Sequence, residues 1–236
     1  MNRIFVTIFL SLVIFVVSCT SNEIGSSKDV NPDAIWFDYK IWGEEGNEDI
    51  TVMLQYRFAG ENGTTLQLEK PSIAELDGET IKGDSSKMTG AFYEIRKPVN
   101  GFTGKHTIIF TDQNKKKYKE EFTFRPITLR TSIPQTIQRD NLVFELDGLN
   151  PEDYVRVMLN DTLFGNNGIH RIDTVKNGRI IISKADLENL VNGPVQLELY
   201  KEEEKQVKNG TPEGGRISIT YGIKREFMLK DKPEKE

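Results

Sequence analysis

The sequence is poor in cysteine and in histidine. Its 236 residues include one cysteine, Cys19, and two histidines, His106 and His170. A single cysteine excludes a disulfide within the chain. Each folded unit must therefore be held together by its own apolar core.

Several familiar catalytic motifs are also missing. The chain contains no His-Glu-x-x-His zinc motif, no Gly-x-Ser-x-Gly nucleophile turn and no Gly-x-x-x-x-Gly-Lys phosphate loop. Both histidines fall in segments that predict strands, where a histidine is more often packed or solvated than a base. We therefore expect no enzyme activity, no cofactor and no metal site. A hydrolase without a recognisable motif is the alternative.

Positive charge is in short supply as well. The chain has 31 Lys and Arg residues against 36 Asp and Glu residues, a formal net charge of −5. Proteins that bind nucleic acid usually show a basic face and a high pI. We therefore expect no nucleic-acid partner.

The one long apolar run lies at the amino end. It extends from Ile4 to Val17, follows Arg3, and is interrupted only by Thr7 and Ser11. A membrane-spanning helix needs about 20 apolar residues, whereas the apolar region of a signal peptide needs roughly 7–15. This pattern predicts a signal peptide over residues 1–18.

The residues that end this run carry a resemblance. Val16-Val17-Ser18-Cys19 resembles the lipobox of bacterial prolipoproteins, which implies cleavage between Ser18 and Cys19 and a diacylglyceryl thioether on Cys19, usually joined by an N-acyl chain such as palmitate. The membrane is then a partner through covalent lipid. Thr20 at the position after the cysteine favours the outer membrane, facing either the periplasm or the cell surface. The alternative is that Cys19 is an incidental residue at the end of an ordinary signal peptide or of a short helix in a buried core.

The polar segment that follows shows no periodicity, so residues 19–33 are expected to be a lipidated cysteine and a flexible tether. The remaining length suits two domains. We place them at residues 34–127 and 128–236, with the boundary near Pro126, and expect each to fold alone.

Beyond the tether, apolar and polar residues alternate repeatedly. Residues 50–58, 105–111, 118–125, 195–200 and 217–229 all show the period of two that is typical of half-buried strands. Asn177-Gly178 predicts a type I′ hairpin turn between residues 169–176 and 179–183. One short helix is predicted after Ser183, with Asp186 completing a capping box. The pattern predicts an all-β fold of two antiparallel β-sandwiches in tandem.

Two segments add a second resemblance. Gly101 to Asp112, closed by Lys117 and Tyr118, resembles the F–G hairpin of bacterial immunoglobulin-like domains, and Leu190 to Leu199 shows a similar turn into a strand. Together with the lipobox, the whole chain resembles uncharacterised two-domain lipoproteins of the kind common in Bacteroidota. That resemblance implies immunoglobulin-like sandwiches at the outer membrane, and it implies no activity.

The residues most suggestive of a ligand are the two tryptophans, Trp36 and Trp42. In a strand over residues 34–43, Ile35, Phe37, Tyr39 and Ile41 would face the core and leave both tryptophans on the polar face. Outward tryptophans suit contact with a sugar or a protein, although these two lie about 20 Å apart along a strand. The alternative is that one or both pack under a loop or against the second domain.

Two weaker signals complete the candidates. Asp161-Thr162-Leu163 and Asp173-Thr174-Val175 resemble the acceptor for O-glycosylation in Bacteroidota, which implies modification of Thr162 and Thr174. The charge run 201–205, together with the loop through Gly215, predicts a solvated hairpin loop, with a docking motif as the alternative.

These observations favour a lipid-anchored binding or scaffolding protein of the cell envelope that performs no catalysis. A glycan-binding lipoprotein that assists polysaccharide capture is the leading alternative.

Overall fold

Alternating apolar and polar residues form strands along most of the chain. The computed structural model describes residues 24–151, 153–162 and 168–231, so the predicted signal peptide, Ser18 and Cys19 lie outside the described residues. The strands are β1 (Ile24–Ser26), β2 (Ile35–Glu44), β3 (Asp49–Phe58), β4 (Thr64–Gln67), β5 (Ile73–Leu76), β6 (Glu79–Thr80), β7 (Gly83–Ser86), β8 (Gly90–Pro98), β9 (Gly104–Thr111), β10 (Lys117–Phe124), β11 (Thr128–Leu129), β12 (Thr136–Gln138), β13 (Leu142–Asp147), β14 (Tyr154–Asp161), β15 (Ile169–Thr174), β16 (Arg179–Ile182), β17 (Gly193–Gln206) and β18 (Gly215–Lys230). Within these described ranges, one short helix, α1 (Lys184–Glu188), and a 3-10 turn, Pro32–Ala34, interrupt the strands.

A single large sheet runs through both halves of the chain. Its strand order is β1-β4-β3-β2-β18-β17-β14-β15, and β7, β8 and β12 join at its sides. The two halves meet where β18 pairs in parallel with β2, from Gly215 beside Phe37 to Gly222 beside Glu44. β18 therefore lies in the middle of the sheet and joins the strands of the second half to β2.

A four-stranded sheet, in the order β10-β9-β5-β6, covers the first half of this large sheet. Aromatic side chains fill the space between the two layers. The ring of Phe110 on β9 lies 4.5 Å from that of Tyr56 on β3 and 5.2 Å from that of Phe37 on β2. Such offset and edge contacts add to the free energy that the buried area supplies.

A smaller sheet, β11-β13-β16, supplies the second layer in the other half. Phe144 and Leu146 on β13 are buried in the same apolar cluster as Leu197 and Leu199 on β17. Two layers thus enclose apolar side chains in both halves of the described chain, and the predicted all-β sandwich class is confirmed.

Several local predictions are confirmed in detail. The core-facing residues predicted on β2 are each 1% exposed, and Tyr118 to Phe124 alternates in burial opposite β9. Ser183 caps α1, and the Asp186 carboxylate accepts a hydrogen bond from the Ser183 backbone in return. Alternation and capping act within a few residues, so the sequence alone is enough to specify them.

The hairpin predicted around Asn177-Gly178 is corrected. Both residues do have the positive φ of the expected turn, 52° and 71°. Across the turn, however, only Lys176 and Arg179 pair, because β15 joins β14 whereas β16 joins β13 in the opposite layer. The turn carries the chain from one layer to the other.

The flexible tether is corrected for its described part, residues 24–33. Ile24 to Ser26 pairs in parallel with β4, and Ser27 is fully buried. The Ser27 hydroxyl accepts hydrogen bonds from the Glu69 backbone, at 2.9 Å, and from the Gln113 side chain, at 3.0 Å. These contacts hold the segment against the first half of the fold.

The boundary near Pro126 coincides with the passage of the chain from β10 to β11, but the large sheet continues across it. Gly215 permits this continuity, because a Cβ there would lie 2.6 Å from the Phe37 carbonyl oxygen. Ile217 and Tyr221 of β18 are 3% and 5% exposed within the shared core. Both segments contribute strands to this one sheet, so the division into domains at residues 34–127 and 128–236 remains a prediction.

The shared sheet leads us to expect that a fragment of residues 28–127 is far less stable than the same residues in the full chain. It would leave β2 without its β18 neighbour and remove apolar side chains that each contribute roughly 2–5 kcal/mol when buried. Urea unfolding followed by circular dichroism measures the difference. An equal midpoint for the fragment and the full chain would show that the first half folds without β18.

Candidate functional site

A surface groove of about 810 Å³ opens at the seam between the two layers of the first half. We call it the basic groove. One wall is β10 with the turn before it, and the other is the far end of the β17–β18 hairpin. The lining residues are Lys105, 116–123, Glu203, Lys205, Gln206, 208–210, Ile217 and Ile219.

The groove exists because two strand edges meet without pairing. β10 is the last strand of its four-stranded sheet, so one of its edges is free. On the other wall, β14 pairs with β17 only over Val195 to Lys201. Residues 202–206 of β17 extend beyond β14 and have β18 on one side only.

The hairpin directs charged side chains into the seam. Glu203 lies opposite Ile219, and Lys205 lies opposite Ile217. Residues that are directly opposite in an antiparallel pair share a face. Glu203 and Lys205 therefore project toward the four-stranded sheet, above a floor that includes the two isoleucines.

One buried carboxylate holds the two walls together. Glu120 on β10 is 5% exposed. It accepts hydrogen bonds from the backbone nitrogens of Lys208, at 2.9 Å, and Asn209, at 3.3 Å. A hydrogen bond to an ionised group is stronger than a neutral one, so Glu120 fixes the hairpin tip against β10.

The remaining charges of the groove are mostly positive. Its six lysines face three glutamates, one of which is the buried Glu120. Lys119 pairs with Glu121 at 2.6 Å, and Lys205 pairs with Glu203. The other four lysines, 105, 116, 117 and 208, are exposed and form no ion pair with a carboxylate within the described chain. The groove is therefore a basic site on a protein of net charge −5.

Neighbouring groups and burial shift the pKa of side chains of the groove. A hydrogen bond from Lys119 lowers the pKa of Glu121, which stays ionised. Burial raises the pKa of the Tyr118 hydroxyl, which stays neutral. The ammonium of Lys116 lies over the Tyr118 ring, 4.6 Å from its centroid, a cation–π arrangement.

The two tryptophans lie on a different surface, the outer face of β2. Trp36 is half-buried, its ring lies against Gly214, and its indole nitrogen is buried without a hydrogen-bond partner. Trp42 is 39% exposed and stands between Thr51 of β3 and Thr220 of β18. Only Trp42 offers a substantial part of its ring to solvent.

The other candidate residues do not gather at either surface. Thr162 follows β14 and Thr174 ends β15, and both are exposed. His106 is 9% exposed, with its ring nitrogens 2.8 Å from the Asp77 carboxylate and 2.7 Å from the Phe102 carbonyl oxygen, and it stacks on the Phe102 ring. His170 lies 2.9 Å from the Asn160 side chain.

Within residues 24–151, 153–162 and 168–231, no group of three or more His, Cys, Asp and Glu side chains is arranged to hold a metal ion. Over the same ranges, no helix has the length and apolar character needed to cross a bilayer.

Sequence reasoning did not find the basic groove as a site. Its parts were visible separately, as the lysine-rich turn 115–117 and the charge run 201–205. They are more than 80 positions apart in the chain. Only the packing of the two layers, and the extension of the β17–β18 hairpin into the first half, bring them together.

No family model and no curated protein sequence matches the chain. Among solved structures, the IG1+IG2 portion of DIP-gamma matches 84% of this chain and 96% of its own at 10% identity and a TM-score of 0.23. Fibronectin(III)-like modules of CbhA from Clostridium thermocellum match over 86% of this chain and 97% of their own, at 8% identity and a TM-score of 0.24. SGBP-B of Bacteroides ovatus, solved with a mixed-linkage heptasaccharide, matches over 88% of this chain and 66% of its own, at 9% identity and a TM-score of 0.18. Scores this low carry no argument about function.

The placement of the tryptophans predicts unequal effects on stability. We expect Trp36→Ala to cost roughly 2–3 kcal/mol, because its ring is packed, and Trp42→Ala about 1 kcal/mol or less. Urea unfolding of the two variants measures both values. Equal losses of several kcal/mol would mean that Trp42 is also a core residue and offers no contact surface.

Proposed function

We propose that this chain is a lipid-anchored binding or scaffolding protein of the bacterial cell envelope, without catalytic activity, and that the basic groove is its binding site. The observation that carries the proposal is the row of lysines without carboxylate partners in a groove on an otherwise acidic protein. A fixed excess of positive charge attracts an anionic ligand and speeds its encounter.

The groove is also shaped for binding. Its floor includes Ile217 and Ile219, and Tyr118 and Phe122 also contribute to its lining. Apolar surface beneath a rim of charges is the usual composition of a contact site. Because Glu120 fixes the hairpin tip, the ligand meets a preformed surface and little conformational entropy is lost on binding.

The anchor part of the proposal rests on the lipobox and is sharpened by the docked segment 24–33. Only residues 20–23 separate Cys19 from Ile24, so the chain between them spans at most about 18 Å. A lipid on Cys19 would therefore hold the first half of the fold close to the membrane surface, which we propose is the outer membrane.

A glycan-binding protein that assists polysaccharide capture is the second candidate, and the exposure of Trp42 favours it. Its aromatic face would contact the apolar face of a sugar ring. This surface lies on the outer face of β2, apart from the basic groove, so substitutions can test the two candidate functions separately.

Lipid attachment is tested by Cys19→Ser. We expect the substituted precursor to lose the label from a metabolic fatty-acid probe and to remain unprocessed or become soluble, because the thiol that accepts the lipid is absent. Label that persists on the variant would contradict the anchor.

The groove is tested by neutralising three exposed lysines together in Lys105→Gln/Lys117→Gln/Lys208→Gln. We expect the variant to bind an anionic polymer at least about tenfold more weakly, because three rim charges contribute on the order of 0.5 kcal/mol each. Fluorescence anisotropy with labelled polyglutamate and labelled polygalacturonate measures the change.

The matched control is Lys82→Gln/Lys176→Gln/Lys230→Gln, which changes the net charge equally at exposed positions outside the groove. Its affinity should stay within about twofold of the parent chain. Equal weakening in both triple variants would show a general charge effect, and binding of neither polymer by the parent chain would refute the anionic-ligand site. Loss of polysaccharide binding in Trp42→Ala alone would favour the second candidate.

A further inference from the structure

The basic groove follows the edge of β10. Its lining includes every residue from 116 to 123. Successive side chains of a strand point to opposite faces, so a groove on one face would be lined by alternate residues only. Lining by consecutive residues places the groove along the strand edge, where backbone groups are accessible.

That edge offers a row of hydrogen-bonding groups. β10 runs for eight residues, Lys117 to Phe124, and pairs with β9 along its whole length on one side only. The N–H and C=O groups on the other side have no neighbouring strand within the described chain. A free edge of this length is a template for pairing with another extended chain.

The charges along the edge select what can pair with it. Lys117, Lys119 and Glu121 project from β10 on its exposed face, where Glu121 pairs with Lys119. Two further lysines add positive charge, Lys105 on the adjacent strand and Lys208 on the opposite wall. The net positive charge of this edge disfavours a second copy of β10, which would otherwise add edge to edge. They attract an extended segment whose alternate residues are acidic.

We propose that the basic groove binds an acidic peptide segment of a partner protein as an additional strand on β10. Main-chain hydrogen bonds to the free edge hold the segment, and its carboxylates face the lysines. This inference rests on the proposed function of the groove and names its ligand. The regular spacing of backbone donors and acceptors matches a peptide residue by residue and does not match a polysaccharide.

The test uses three labelled nine-residue peptides in which glutamate alternates with valine. One is unmodified, one is N-methylated on its odd-numbered amides and one on its even-numbered amides. In a paired strand, alternate amides donate to the neighbour and the others point away. N-methylation therefore removes the pairing in only one of the two modified peptides, at unchanged charge.

With the full chain purified in detergent, we expect the unmodified peptide to bind and one methylated peptide to bind at least about tenfold more weakly, because several main-chain hydrogen bonds are lost together. The affinity of the other methylated peptide should lie within about threefold of that of the unmodified peptide. The groove variant Lys105→Gln/Lys117→Gln/Lys208→Gln should weaken all three, and the matched lysine control should not.

Two results would overturn the inference and leave the groove as a binding site. One is equal affinity for all three peptides, which would mean attraction by charge without strand pairing. The other is binding of polygalacturonate without binding of the peptides. Binding of neither class of anion would refute the proposed function itself.

Discussion

The parallel pairing of β18 with β2 is the interaction on which the rest of the structure depends. Eight residue pairs, from Gly215 beside Phe37 to Gly222 beside Glu44, join the second half of the chain to the first. Since β17 and β18 also pair along their full length, the hairpin extends from the second half of the fold into the first. Its apolar residues, including Ile217 and Tyr221, complete a core that the strands before Pro126 do not close by themselves.

The basic groove is a consequence of the same hairpin. β17 continues past the last residue that β14 pairs with, and this overhang forms the wall opposite β10. The Glu120 carboxylate then ties the overhang to β10 through the backbone of Lys208 and Asn209. Removing the overhang would remove the groove, so the element that unites the two halves of the fold also builds its most distinctive surface. Structure and proposed binding are linked here through one hairpin.

Much of the local structure follows from the sequence, because it depends on neighbours a few positions away. The alternation in β2 and β18, the β9–β10 hairpin and the capping box of α1 are all of this kind. Partner choice is different. Asn177-Gly178 specifies a turn but not which sheets its flanking strands join, and the polar segment 24–33 gives no sign that Ser27 is buried. The groove combines residues more than 80 positions apart, and no local pattern marks such a meeting.

Amide hydrogen exchange along β18 tests the central claim most directly. If β18 is one structural element shared by both halves, the amides that bond across to β2 or β17 over residues 215–222 should exchange as slowly as those over residues 223–230. Both sets should open together with the core strand β3, because all of them belong to one cooperative unit. Exchange over residues 215–222 that is many-fold faster and independent of β3 would contradict the account, because the hairpin end would then be a mobile extension and not part of the first core.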